Sequence, residues 1–193
     1  MTAARIGNWM QTSSGRAYWP IDPRPDEVFI EDIAHALSNI CRYGGHCRRF
    51  YSVAEHSVLV SHLVPPADAL AALMHDATEA YCCDVPRPLK GHLKDYKAIE
   101  HGNWVAIAAR FGLPVELPAS VHHADVAMLF AEQKALMRPS PRPDWGMGLV
   151  TPLVGDPKSV QALSPDLAEQ LFLRRFRQLG GQAHAVEHVA AAR

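Results

Sequence analysis

The sequence predicts a nearly all-α fold, a helical bundle in one domain. Three observations point there. Apolar residues recur at the helical period in Ile30–Cys41, and Gly91–Phe111 reads as a long amphipathic helix. The stretch Ser52–Asp84 reads as two antiparallel helices joined by a proline turn. Finally, 193 residues with 48% hydrophobic content suffice for one well-buried core rather than two.

Residues 1–29 are rich in Gly, Pro, Ser and aromatic side chains, without a regular period in their latter half. They are expected to form an extended strap over the domain or a short hairpin around Ser13-Ser14-Gly15. Trp9, Tyr18 and Trp19 are expected to pack on the helices rather than to close over a bound base. Ile30–Cys41 is the first helix, with His35 between two alanines as a partly buried structural histidine, and Gly44-Gly45 ends it. Ser52 with Glu55 three residues on predicts a capping box for the next helix. Pro66 suits the first turn of the helix after that.

Beyond the central pair, Asp84–Lys90 is a proline-stiffened loop, and Gly112 with Pro114 terminates the amphipathic helix. His92 and His101 are assigned to the surface. Leu117–Met137 is the next long helix, carrying His122, His123 and Asp125. Arg138–Pro157 holds five prolines and three glycines and is expected to be a flap or partly disordered. The last helix starts at Ser164 as N-cap, with Pro165 at its first position, and closes at Gly180-Gly181. Its Arg174, Arg175 and Arg177 read as a solvated face, and the Ala-rich tail after Gln182 as frayed.

A formal net charge of −1 predicts no bulk attraction to nucleic acid or membrane. No stretch approaches the ~20 apolar residues that span a bilayer, and the N-terminus has no long apolar core, so a cytoplasmic protein is expected. Cys41, Cys47, Cys82 and Cys83 lack the spacing of a zinc knuckle or redox pair, and Cys82-Cys83 are expected to face a reduced interior. No P-loop or G-x-G-x-x-G segment occurs, which sets aside kinase and dehydrogenase readings.

The chemistry concentrates in the helical pair. His56 lies nine residues before Pro65 and His75 ten after it. At about 1.5 Å of rise per residue, both imidazoles sit at the same height on neighbouring helices. Asp76 follows His75, and Glu79 is one helical turn further on the same face. Two imidazoles and a carboxylate at one level can hold a divalent metal, with a second carboxylate beside it. A hydrogen-bonded pair of core histidines is the other reading. Unpaired, such groups would cost several kcal/mol each inside the apolar run ADALAALM. Arg42, Arg48 and Arg49 cluster just before the first of these helices, where guanidinium groups suit phosphate recognition unless the loop is simply solvated. A metal centre of this kind polarises a phosphoryl oxygen and activates water, and Glu79 is placed to take a proton from that water or to orient it.

These residues resemble a known family. His56 in AEHS, His75-Asp76 in HDATE and the later Ala124-Asp125 form the H…HD…D series of the HD-domain metal-dependent phosphohydrolases. The resemblance spans about Ile30 to Met137 and is nearest to the branch of 5′-deoxynucleotidases and small phage-type dNTP triphosphohydrolases. It implies an HD-domain helical bundle with an N-terminal irregular strap and a Pro/Gly-rich loop before the last helix. The domain would cover residues 1–193, with a core at about 30–137, a flexible loop at 138–163 and a C-terminal helix at 164–180.

The resemblance further implies His56, His75, Asp76 and Asp125 as metal ligands. Glu79 and Asp84 become the catalytic candidates, and Arg42, Tyr43, Arg49 and Lys90 the substrate contacts. Arg42-Tyr43 occupies the place of an Arg-Trp pair in that branch, and the substitution alters the base pocket. The implied ion is Co2+, Mn2+ or Zn2+, with Mg2+ as a second ion; His122, one turn before Asp125, is spaced to bond that carboxylate or a second metal, but the branch supplies no ligand there. The implied activity is removal of phosphate, pyrophosphate or triphosphate from (deoxy)nucleotides by a homo-oligomer. Alternatives are an HD-superfamily phosphodiesterase or alarmone hydrolase, a di-iron oxygenase on the same scaffold, and a non-catalytic nucleotide-binding module.

Overall fold

The structure is a computed structural model and describes residues 4–142 and 156–182. Among these residues the chain is mostly helical. A short hairpin, β1 (Met10–Gln11) and β2 (Ala17–Tyr18), pairs antiparallel with Met10 opposite Tyr18. Eight α-helices follow among the described residues: α1 (Ile30–Asn39), α2 (Val53–Val60), α3 (Ala69–Met74), α4 (Glu79–Cys82), α5 (Arg87–Lys90), α6 (Lys94–Phe111), α7 (Ala119–Leu136) and α8 (Pro165–Gln178). None is long and apolar enough to cross a membrane.

Helix α2 is the axis of the bundle. Its N-terminus is set by Ser52, whose side chain accepts the Glu55 N–H at 3.1 Å. Val53, Ala54, Glu55, His56, Ser57 and Val60 are all buried, because α1, α3, α7 and α8 all pack against this helix. Two apolar cores result. The first joins Ile33 and Leu37 of α1 to Ile107 of α6 and Phe172 and Phe176 of α8. The second joins Tyr51, Val60 and Ala72 to Met128 and Leu136 of α7. Burying a side chain such as Phe172 contributes about 1.5–3 kcal/mol. Helix α8 stops where Gly180 turns left-handed at φ +81°, and a Cβ on Gly181 would meet the Phe176 ring at 2.5 Å.

Several elements differ from their sequence expectation. The N-terminal segment takes the hairpin alternative around Ser13-Ser14-Gly15 rather than a wholly irregular strap, and the hairpin turn is tied to α1 because Asp32 accepts from Ser13 Oγ, Ser14 N and Ser14 Oγ at 2.7, 2.7 and 2.8 Å. Tyr18 is buried, stacked on Tyr81 at 3.8 Å, and donates to Asn103 Oδ1 at 2.6 Å. Trp9 is exposed instead. The first helix ends at Asn39, ahead of Gly44-Gly45. A bridge between Cys41 and Ser52 then closes the intervening loop.

The capping box is only half formed. Glu55 does not reach back to Ser52; its carboxylate accepts the backbone N–H groups of Gln161, Ala162 and Leu163 at 2.7, 3.1 and 2.8 Å. The end of the expected 138–163 flexible loop is therefore tied to the core, and Val160 is buried there. The remainder of the expected flap, 143–155, and the tail after Gln182 lie outside the described residues.

His35 is exposed and pairs with Glu169 Oε2 of α8 at 3.1 Å. Arg175 is not part of a solvated face, since it donates to Ser61 Oγ and Ser61 O at 3.0 Å each and so caps α2. Cys83 is exposed at a left-handed turn of φ +66° rather than facing the interior, and all four cysteines are free thiols.

Candidate metal centre

His56 sits mid-way along buried α2, and His75 follows the last residue of α3. The chain between His75 and Thr78 does not continue the α-helix. The N–H groups of Ala77, Glu79, Ala80 and Tyr81 bond three residues back, to Met74, Asp76, Ala77 and Thr78, at 2.9–3.3 Å. This tightening to a 3-10 pattern replaces the expected single helical face through His75 and Glu79. Asp125 comes from α7, across the second core.

His56, His75 and Asp125 each place one donor atom within 4.8 Å of the other two. The His56 and His75 Nε2 atoms lie 3.4 Å apart, and Asp125 Oδ1 lies 3.2 Å from His56 Nε2. Donors about 2.0–2.1 Å from one tetrahedral ion stand about 3.4 Å from each other. Asp76 is not within that trio, but its Oδ2 is 3.3 Å from His75 Nε2 and 3.6 Å from His56 Nε2.

The far side of each ring decides what these nitrogens can do. His75 Nδ1 is 2.8 Å from the Ala72 carbonyl, which only accepts, so Nδ1 carries the proton. His56 Nδ1 is 2.5 Å from Glu132 Oε1, with the same consequence. In the neutral rings both Nε2 atoms then present lone pairs to each other and to two carboxylates. Such a convergence calls for positive charge at its centre. Burial and Arg42 push the His56 imidazolium down, yet Glu132 and Asp125 outweigh them and hold it at about 9. Burial raises the Asp125 carboxyl, but His56, His75 and Arg42 hold it far below the usual carboxylate range. The donor set thus fits a divalent cation.

Glu132 is the residue that sequence reasoning missed. It is fully buried on α7, seven residues beyond Asp125 and so on the same helix face. Oε1 accepts from His56 Nδ1 and from Tyr51 Oη at 2.8 Å; Oε2 accepts from Arg42 Nε at 3.2 Å and from Tyr43 Oη. A glutamate interrupting the apolar run of α7 was the available signal.

The expected substrate contacts are mostly engaged within the protein. Arg42 is buried and bridges the centre, with Nε on Glu132 and Nη1 on Asp76 at 3.3 Å. Tyr43 sits at φ +58°, its hydroxyl turned inward to Glu132. Lys90 pairs with Glu100 at 2.5 Å, and Arg49 is exposed. Arg48 donates to the Leu136 and Ala135 carbonyls and caps α7 instead of joining a phosphate cluster. His122 is exposed and lies outside the converging trio.

Glu79 is buried, and its Oε2 has no hydrogen-bond partner among the described residues. Burial first, then Asp76 and Asp84, push its carboxyl well above the ordinary value. Asp84 is half-buried, and burial raises its carboxyl more than Arg42 lowers it. A separate cleft of ≈ 370 Å³ between the β-hairpin, α1 and α4 shares none of these residues.

No family model matches the chain. It is 41% identical over 179 residues to YfdR of Escherichia coli (strain K12), covering 89% of this chain and 96% of that protein. It is 40% identical over 126 residues to RCAP_rcc00048 of Rhodobacter capsulatus, covering 60% of this chain and 64% of the relative. Both relatives carry the description of uncharacterized proteins. With a match of that identity running nearly end to end in both proteins, the chain belongs to the family of YfdR.

Proposed function

We propose that the chain is an HD-domain phosphohydrolase that removes phosphate, pyrophosphate or triphosphate from (deoxy)nucleotides. The observation that supports it is the convergence of two imidazole Nε2 atoms and the Asp125 carboxylate at the spacing of ligands around one metal. The ion is Co2+, Mn2+ or Zn2+, held by His56, His75 and Asp125 with Asp76 at its edge, and Mg2+ is the candidate second ion. Bound there, it would polarise a phosphoryl oxygen and lower the pKa of a water toward neutrality.

The chain's own groups supply the rest. Arg42, fixed through Nε on Glu132 and Nη1 on Asp76, is the guanidinium that would meet a phosphate oxygen. Glu79 and Asp84, whose carboxyls burial pushes up, are the groups that hold and move the proton. The protein acts in the cytoplasm as a homo-oligomer.

The test is direct. Metal-replete protein is incubated with each (d)NMP and (d)NTP, and the products are separated by chromatography. Release of orthophosphate, pyrophosphate or triphosphate from at least one nucleotide is expected. Metal-replete protein that leaves the whole panel intact would end the proposal.

A further inference from the structure

Among the described residues Glu132 accepts from four hydrogen-bond donors: the His56 ring, Tyr51, Arg42 and Tyr43. An ionised carboxylate is acceptor-only, so it can satisfy all four at once. No other side chain of this size can. An amide in the same place would have to turn its NH2 group toward one of the two donor pairs.

We propose that Glu132 is a positioning residue that holds His56 in the tautomer with Nε2 free, and that the same carboxylate sets the place of Arg42. The proposal rests on the metal reading given above. Its chain of contacts is short. Oε1 fixes the proton of His56 on Nδ1, which aims the Nε2 lone pair at His75 Nε2 and Asp125 Oδ1, 3.4 and 3.2 Å away. Oε2 orients the Arg42 guanidinium, whose Nη1 then meets Asp76 Oδ2 at 3.3 Å. One buried side chain from α7 therefore ties the ligand on α2 to the arginine ahead of α2 and, through it, to the aspartate after α3. His75 needs no such partner, because the Ala72 carbonyl of its own helix plays that part at 2.8 Å. The two imidazoles are thus positioned by different means, one within a helix turn and one across the bundle.

Glu132→Gln separates these roles while keeping size and shape. Its amide oxygen is drawn to the Arg42 side, where the charge lies. The NH2 then faces His56, which can accept it only by moving its proton to Nε2, the nitrogen that would bind metal. Outer partners of this kind are worth about 10–100-fold in metal affinity.

The experiment titrates Co2+ into metal-free wild type and Glu132→Gln by calorimetry and records the visible absorption of the bound ion. Circular dichroism and thermal melting check the fold. A loss of about 10–100-fold in affinity with a changed absorption band is expected in the folded variant. Equal affinity with an unchanged band overturns the inference while leaving the metal reading intact. Wild type that binds no Co2+ removes the metal reading, and this inference with it. Should Glu132→Gln fail to fold, nitrogen-15 NMR of the histidine rings in Zn2+-loaded wild type decides. His56 protonated on Nδ1 and unprotonated on Nε2 supports the proposal, and the reverse assignment overturns it.

Discussion

Glu55 accepts the backbone N–H of Leu163 at 2.8 Å, across 108 residues of chain. With the N–H groups of Gln161 and Ala162 on the same carboxylate, it fastens the approach to α8 onto the central helix. Glu55→Ala leaves three donors without their acceptor next to the core. A loss of about 2–4 kcal/mol in unfolding free energy is expected, since bonds to a charged group contribute about 1.5–3 kcal/mol each and do not add fully. Denaturant titration of the variant measures it, and a wild-type midpoint would show that the contact carries no stability.

His75 and Glu79 should separate metal binding from catalysis. His75→Ala is expected to lose bound metal, because an imidazole of the trio is gone. Glu79→Ala is expected to keep the metal and to lower kcat by roughly 10²–10⁴-fold, the usual worth of a positioned acid–base group. Glu79→Gln distinguishes a proton carrier from a group that only orients water. As poor an enzyme as Ala means the former, and a largely restored rate means the latter. Metal analysis beside initial rates decides; a fully active Glu79→Ala with full metal would transfer the role to Asp84.

Arg42 joins Glu132 and Asp76 through two different nitrogens, a geometry that one ammonium cannot reproduce. Arg42→Lys is therefore expected to impair turnover, and Arg42→Ala to impair it further. Because Arg42 is buried, its removal leaves two carboxylates short of their counter-charge. That is expected to cost about 3–5 kcal/mol of stability as well. Thermal unfolding and kcat/KM measured on both variants check this, and wild-type values in both would show that Arg42 contributes to neither turnover nor stability.

The cysteines should react in an order set by exposure and charge. Burial, and then Cys41, push the Cys47 thiol up to about 12, and burial with Glu100 pushes Cys82 up to about 11. Thiolate is the reactive form, so both should be slow toward an alkylating agent near pH 8. Exposed Cys83 should be modified first. Peptide mass spectrometry over a time course reads the order, and Cys47 reacting ahead of Cys83 would contradict it.

Much of the helical framework was legible because its causes are local. Helix rise and period depend on neighbouring residues, so His56 and His75 could be set at one height from their distances to Pro65, and their Nε2 atoms do meet at 3.4 Å. Ser52 as N-cap and Gly112 as a left-handed stop follow from the same short-range rules. The tightened turn after His75 was not legible. Whether an N–H bonds three or four residues back there is decided by what the turn packs against.

By itself, then, the sequence determined a mostly helical chain, the places of its main helices and the pairing of two histidines on adjacent helices. Only the tertiary structure decided who their partners are. Glu132 reaches His56 across 76 residues, and Glu55 reaches Leu163 rather than Ser52. Arg42 is drawn inward between Glu132 and Asp76 instead of standing free in a basic loop. The physical reason is common to all three. A buried charge must find its counterpart wherever packing brings one within hydrogen-bond reach, and that neighbour is set by how α7 and α8 close on α2.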